Sequence, residues 1–379
     1  MFEKEINFIK SLFPDKKSIA LHEPVFKGNE KAYVAETIDS TFVSSVGEFV
    51  TRFESMLCEA TGAKYAVATV NGTSALHSAL LLSGVKNGDL VITQSLTFVA
   101  TANAIAYCGA EPLFIDIDED ALGLSSSALL IFLEENTTTK DGQCFHNDSG
   151  RKISACVPMH TFGHPCRIDE IVNICSEYFI PVIEDAAEAL GSFYKEKSAG
   201  TFGSMGVLSF NGNKIVTCGG GGAIITDDEN IAVLAKHMTT TAKKPHKYEF
   251  FHDMTGFNYR MPNLNAALGC AQLEKLSDFV LNKRQLAEIY MDFFKGSGFS
   301  FIREPENSRS NYWLCSVLVS DKNIRNAFLD FAHESGVMVR PVWEPMHTLP
   351  MYGKCPRGNL PITEKIAARL INLPSGVRL

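Results

Sequence analysis

One lysine in this chain stands where a lysine can do covalent chemistry. Lys214 ends the run Ser209-Phe210-Asn211-Gly212-Asn213-Lys214 and is soon followed by Gly219-Gly220-Gly221-Gly222. Most lysines are solvated surface charges. This one lies in a glycine-rich, uncharged stretch between two strand-like runs, where desolvation favours the neutral amine that can attack a carbonyl carbon and form a Schiff base. A P-loop is excluded, because its glycines precede the lysine. The glycine run equally fits a bulge that admits close packing.

Two further segments would reach the same place. In Val182-Ile183-Glu184-Asp185-Ala186-Ala187-Glu188 an apolar run passes straight into acidic residues, which puts Asp185 at the mouth of a sheet. A buried carboxylate there needs a cation, and a protonated pyridine nitrogen would serve. A helix cap or a metal ligand is the plainer reading, although no histidine cluster accompanies it. Asn71-Gly72-Thr73-Ser74 offers amide groups, small side chains and two hydroxyls at a helix start, a combination that suits a phosphate. Taken alone, such a motif is more often an N-cap.

The elements that must position these residues alternate along the chain. Gly47 to Ala60 carries Phe49, Phe53 and Leu57 at helical spacing. Strands are expected at Tyr65 to Val70, Leu90 to Thr93, Pro112 to Asp116, Ile153 to Pro158, Ile180 to Asp185, Val207 to Phe210 and Ala223 to Thr226. Helices at Thr73 to Ser83, Phe98 to Tyr107 and Ile168 to Tyr178 separate them, and Thr137 to Gly150 reads as a polar loop. This rhythm predicts a parallel α/β layer whose ligands bind beyond the carboxyl ends of the strands. Asn263 to Leu276 and Asp278 to Lys295 read as connector helices. Strand Trp313 to Val319, helix Asn323 to Ser335, strand Met338 to Val342 and helix Thr363 to Leu370 form a small α+β domain. The division falls between a large domain, residues 1–255, and connector helices plus small domain, residues 256–379.

Composition agrees with a folded chain of 379 residues, 45% hydrophobic and 21% charged. A net charge of -8 gives no electrostatic footprint for nucleic acid or an acidic membrane, so any phosphate must be held by local geometry. The ten cysteines lie singly, without CxxC or zinc spacing, and no metal site is expected. No signal-peptide h-region or membrane-length apolar run is present, so a cytoplasmic location is expected.

Seven ordered blocks carry a resemblance over almost the whole chain: FVSSVGEFVTRFE (42–54), NGTSALHSALL (71–81), SLTFVATANAI (95–105), VIEDAAEALGS (182–192), SFNGNK (209–214), GFNYRMPNLNAALGCAQLEKL (256–276) and LPITEKIAARLINLPS (360–375). The chain resembles the DegT/DnrJ/EryC1/StrS family of sugar aminotransferases, and within it the branch that makes 4-amino-6-deoxy sugars of the legionaminic, bacillosamine and perosamine type. That resemblance implies fold type I of the pyridoxal 5'-phosphate enzymes: a large α/β domain with a mostly parallel seven-stranded sheet flanked by helices, plus a small C-terminal α+β domain.

The resemblance also implies roles. Lys214 matches the lysine that binds pyridoxal 5'-phosphate, and Asp185 the carboxylate on its ring nitrogen. Gly72, Thr73, Ser74 and Ser209 match phosphate contacts, and Phe98 the aromatic residue on the cofactor ring. Glu188 stands where glutamine or histidine is common, at a position facing the cofactor's phenolic oxygen. Asn258 matches an asparagine that reaches the neighbouring subunit's cofactor, which implies a homodimer with shared sites. Tyr259, Arg260 and His347 are candidate contacts to the nucleotide sugar. His160 and His164 fit structural roles better, and Lys243, Lys244 and Lys247 fit a solvated loop. The implied reaction moves an amino group from an amino acid, glutamate in the family, to C4 of a UDP-linked 2-acetamido-4-keto-6-deoxy sugar. Two alternatives stay open. A related sugar dehydratase would carry histidine in place of Lys214, and a regulatory protein could use the same fold without turnover.

Overall fold

The computed structural model describes Phe2 to Arg378. Seven strands build its central sheet: β1 Tyr65–Thr69, β2 Leu90–Gln94, β3 Glu111–Ile115, β4 Lys152–Val157, β5 Ile183–Asp185, β6 Met205–Ser209 and β7 Gly222–Thr226. Their spatial order is β1-β7-β6-β5-β4-β2-β3. All run parallel except β7, which pairs antiparallel with both β1 and β6. Strands β4 and β5 are joined through parallel bridges at Cys156 with Val182 and at Met159 with Asp185. Runs such as Leu90-Val91-Ile92-Thr93-Gln94 are buried throughout, as expected for strands covered by helices on both faces.

Those helices form for legible reasons. Glu48–Thr61 buries Phe49, Phe53 and Leu57 on one stripe and stops at Gly62, whose left-handed φ of 78° lets its N–H return to the Cys58 carbonyl. Each fully buried Phe or Leu contributes about 1.5–3 kcal/mol. Helix α1, Gly72–Leu82, begins where the Asn71 side chain accepts the Ser74 N–H. Helix α2, Val99–Tyr107, follows β2, and its first residues face the same end of the sheet as α1.

The C-terminal layer is a four-stranded antiparallel sheet, β8 Ser300–Phe301, β9 Cys315–Leu318, β10 Arg340–Pro341 and β11 Leu370–Leu373, in the order β8-β9-β11-β10. Its core holds Tyr290, Phe294 and Phe328 together with Phe2, Ile6, Ile9 and Ile19. The N-terminal helix Glu3–Leu12 thus packs on the C-terminal layer, although it precedes the boundary drawn at residue 255/256. Helix Asn263–Leu273 goes the other way, burying Ala266, Ala267 and Cys270 against Phe49 and Phe53 of the large layer. The polar loop expected over 137–150 is instead a hairpin, Thr137–Lys140 with Gln143–His146, laid on the edge of β4. The threonine run Thr137-Thr138-Thr139 supplies β-branched residues that a count of polarity overlooks. Among the described residues, no helix is long and apolar enough to cross a membrane, and no cluster of three or more metal-ligating side chains occurs.

Candidate active site

The carboxyl ends of β1, β5 and β6 open into one cavity of about 270 Å³, and Lys214, Asp185, Glu188, Gly72, Thr73, Ser209 and Phe98 all line it. Lys214 follows β6 in a turn closed by its own N–H on the Asn211 carbonyl at 2.9 Å. The turn is also held from outside, because Trp313 Nε1 donates to the Asn213 carbonyl at 2.7 Å. The Lys214 ammonium lies 4.1 Å from the Trp313 ring centroid, within cation–π range. Its other neighbour is Glu188 Oε1 at 3.1 Å. The flanking stretch is uncharged, and the charged neighbour comes from a loop 26 residues away in the chain.

Three acidic residues of the segment 184–188 separate cleanly. Glu184 points away from the cavity and accepts N–H groups from Gly200, Phe202 and Gly203, plus the Nε2 hydrogen of His160 at 2.9 Å. His160 Nδ1 accepts the Cys166 N–H, so both ring nitrogens are satisfied and the side chain is structural. Asp185 Oδ2 accepts the Thr101 hydroxyl at 2.8 Å, and Oδ1 the Ala187 N–H at 3.2 Å. Burial pushes the Asp185 carboxyl up, so an ionised Asp185 favours a cation placed beside it in the cavity. Glu188 Oε2 accepts the N–H of Phe162, a buried residue held at a left-handed φ of 57°.

At the other end, Gly72 and Thr73 head α1 ahead of its first i to i−4 hydrogen bond, leaving their N–H groups free for an anion. Ser74 does not join them. Its N–H is taken by Asn71 Oδ1 at 2.7 Å, its side chain is buried, and it is absent from the cavity wall. Gly222 of β7 and Gly72 serve this loop by close approach. A Cβ on Gly222 would lie 2.4 Å from the Asn71 carbonyl and 2.6 Å from the Gly72 nitrogen, and one on Gly72 would lie 2.9 Å from Ser209 Cβ.

Asn258, Tyr259, Arg260 and His347 do not line the cavity of their own chain. Exposed Asn258 and half-buried Arg260 lie on a strip bridged to Thr240 and Thr69, with Arg260 Nε donating to Asn258 Oδ1 at 3.2 Å. Tyr259 meets His77 Nδ1 at 3.2 Å, and His347 Nδ1 meets the Ser95 hydroxyl at 2.7 Å. Sequence reasoning missed Trp313 and Trp343, which add aromatic walls beside Phe98, with Trp343 at 6.0 Å from the Phe98 ring. It also missed Asn311, whose Nδ2 donates to the carbonyls of Glu188 and Leu190 and whose Oδ1 accepts the Trp313 N–H. No local signal marks Asn311, but tryptophan is rare here, only two in the chain, and both line the cavity.

The donor set fits a phosphorylated, flat ring with a cationic nitrogen and an electrophilic carbon: amides for the phosphate, a buried carboxylate for the nitrogen, an amine for the carbon. Pyridoxal phosphate, which the sequence resemblance implies, has these features. Residues 24–379 match the model of the DegT/DnrJ/EryC1/StrS aminotransferase family. The chain is 38% identical over 359 residues to a GDP-perosamine synthase of Escherichia coli O157:H7, covering 95% of this chain and 93% of that one. Among solved structures it resembles the aminotransferase TlmJ of Streptoalloteichus hindustanus, with TM-score 0.85, 28% identity and coverage of 94% and 93%. It also resembles Helicobacter pylori PseC, an aminotransferase of pseudoaminic acid biosynthesis, with TM-score 0.85, 25% identity and coverage of 94% of each chain.

Proposed function

The chain belongs to the DegT/DnrJ/EryC1/StrS aminotransferase family, and from that premise we propose that it transfers an amino group from glutamate to C4 of a nucleotide-linked 4-keto-6-deoxy sugar. It is a sugar aminotransferase of fold type I that uses pyridoxal phosphate. The observation that carries the transaminase chemistry is the convergence of Lys214, Asp185 and the Gly72-Thr73 amides on one cavity, whereas the glutamate donor and the C4 ketone rest on the family resemblance.

In this reading the amides of Gly72 and Thr73 and the Ser209 hydroxyl bind the phosphate, and Phe98 covers the ring. Asp185 holds a proton on the ring nitrogen through its carboxylate, which Thr101 and Ala187 orient. When bound, the cofactor supplies a carbon that carries the amino group and a ring that accepts electrons. Lys214 Nζ takes the proton from the donor's α-carbon, and in the second half-reaction it returns a proton to the sugar carbon. Trp313 and Trp343 add apolar wall to the cavity in which that transfer takes place.

The nucleotide is the open choice between two readings. The sequence resemblance points to a UDP-linked 2-acetamido sugar, whereas the GDP-perosamine synthase relative favours a GDP-linked one. Offering UDP-, GDP- and dTDP-linked 4-keto-6-deoxy sugars with glutamate decides it. Amination of a 4-keto substrate is expected, and a dehydrated product, or amination of the corresponding 3-keto sugars but of no 4-keto sugar, would refute the C4 reading.

A homodimer is part of the proposal. Phe42, Val46, Tyr248 and Phe250 are 58%, 67%, 74% and 77% exposed, a burden of apolar surface that a second copy would cover. Asn258 faces outward near the start of the phosphate loop, which supports a role toward the partner's cofactor.

A further inference from the structure

We propose that Glu188 is the proton partner of Lys214, taking the ammonium proton when the amine must act as nucleophile or base and returning it afterwards. This rests on the reading of Lys214 given above. In the transfer an N–H bond of Nζ breaks and an O–H bond forms on Oε1. The electron pair stays on nitrogen, and the transfer itself leaves the net charge of the pair unchanged at zero, so it creates no isolated ion in the buried site.

Geometry sets Glu188 apart from its neighbours. Glu184 is saturated by three backbone N–H groups and His160, which leave its oxygens no place for a proton partner. Glu188 has one amide, from Phe162, on Oε2; its Oε1 faces Lys214 Nζ at 3.1 Å. The carboxylate side chain is 1% exposed and the lysine side chain 11%. Its backbone is clamped by Asn311, and the lysine turn is clamped by Trp313, whose own N–H also goes to Asn311. One side chain therefore fixes both halves of the pair. The charged groups facing Glu188 are Lys214, which favours its ionised form, and Asp185, which opposes it. Burial outweighs both influences and pushes the Glu188 carboxyl up to about 7.

The test is competitive acetylation of the cofactor-free protein with trace acetic anhydride, against a free small amine as internal standard. Peptide mapping reads the neutral fraction of Lys214 at each pH. For a lysine without a proton partner that fraction rises about tenfold per pH unit up to its own titration. With Glu188 as partner, the wild-type profile rises to about pH 7 and then flattens, because above that value proton transfer within the pair does not depend on pH. Glu188→Gln keeps an oxygen for the Phe162 N–H and should restore the steady tenfold rise. A wild-type profile that climbs tenfold per unit above pH 7 overturns the proposal even if the variant fails to fold. Discovery of the cofactor on another lysine would sink the functional reading instead, and the acetylation profile distinguishes the two failures.

Discussion

Glu184, Asp185 and Glu188 are chemically near-identical and lie within five residues, yet each meets a different set of donors and does a different job. Asp185 is the one whose environment asks for an external cation, so Asp185→Asn should keep the fold and much of the cofactor affinity. It should lower turnover in both half-reactions by at least about tenfold, or ~1.4 kcal/mol of barrier. Stopped-flow absorbance of each half-reaction checks this, and wild-type rates would remove Asp185 from the mechanism. Glu188 gives a linkage prediction for the cofactor-free protein. Its carboxyl is raised from an ordinary 4.5 to about 7, so between those values the fold binds a proton that the unfolded chain has lost. The stabilisation from this proton is complete below about pH 4.5 and disappears as pH rises through about 7. Urea unfolding at pH 5 and pH 7.5 should show wild type losing on the order of 1–3 kcal/mol relative to Glu188→Gln, and parallel curves would contradict it. Lys214 and Asp185 were legible in the sequence because each sits at a strand end, where chain direction alone fixes the mouth of the sheet. Asn311, Trp313 and Trp343 were not, because they arrive from the C-terminal layer about a hundred residues later, and no periodicity encodes that meeting.

At the scale of elements, most strands and helices followed from apolar runs and helical spacing, within one to three residues at their ends. The hairpin over 137–146 escaped because an edge ribbon needs little burial, so polar residues do not betray it. The glycine run offered a bulge that admits close packing; at β7 the close packing is present without a bulge, because Gly222 pairs in regular register and lies against the backbone of the phosphate loop. Gly222→Ala would force a methyl group into the Asn71 and Gly72 backbone, at distances of 2.4 and 2.6 Å that real contacts do not reach. Strand β7 or the loop must move. The expected outcome is a stability loss of about 1–3 kcal/mol and cofactor binding weakened at least about tenfold, read by fluorescence titration. Unchanged affinity in a folded Gly222→Ala protein would show that the loop's position does not control the phosphate site.

For the whole molecule, the outward-facing Asn258 strip and the exposed apolar residues make sense if each site needs a second chain. Lys214→Ala and Asn258→Asp, each weak alone, should then complement when mixed and allowed to exchange. Half of the reassorted dimers would be mixed, each with one intact site, so about a quarter of wild-type activity is the ceiling. No recovery despite proven exchange would place Asn258 in its own chain's site. The fold also decides between two lysines withdrawn from solvent. Lys283, on the helix Leu276–Phe294, is wholly buried, and burial lowers its ammonium to about 7, so by acidity alone it is a ready nucleophile. Its Nζ is spent on the carbonyls of Trp313 and Ser375, however, and it does not line the cavity, whereas Lys214 does. Borohydride reduction of the pyridoxal-phosphate-loaded enzyme followed by peptide mapping tests this choice directly. The adduct is expected on Lys214 and absent from Lys214→Ala, and an adduct on Lys283 or any other lysine would contradict the account.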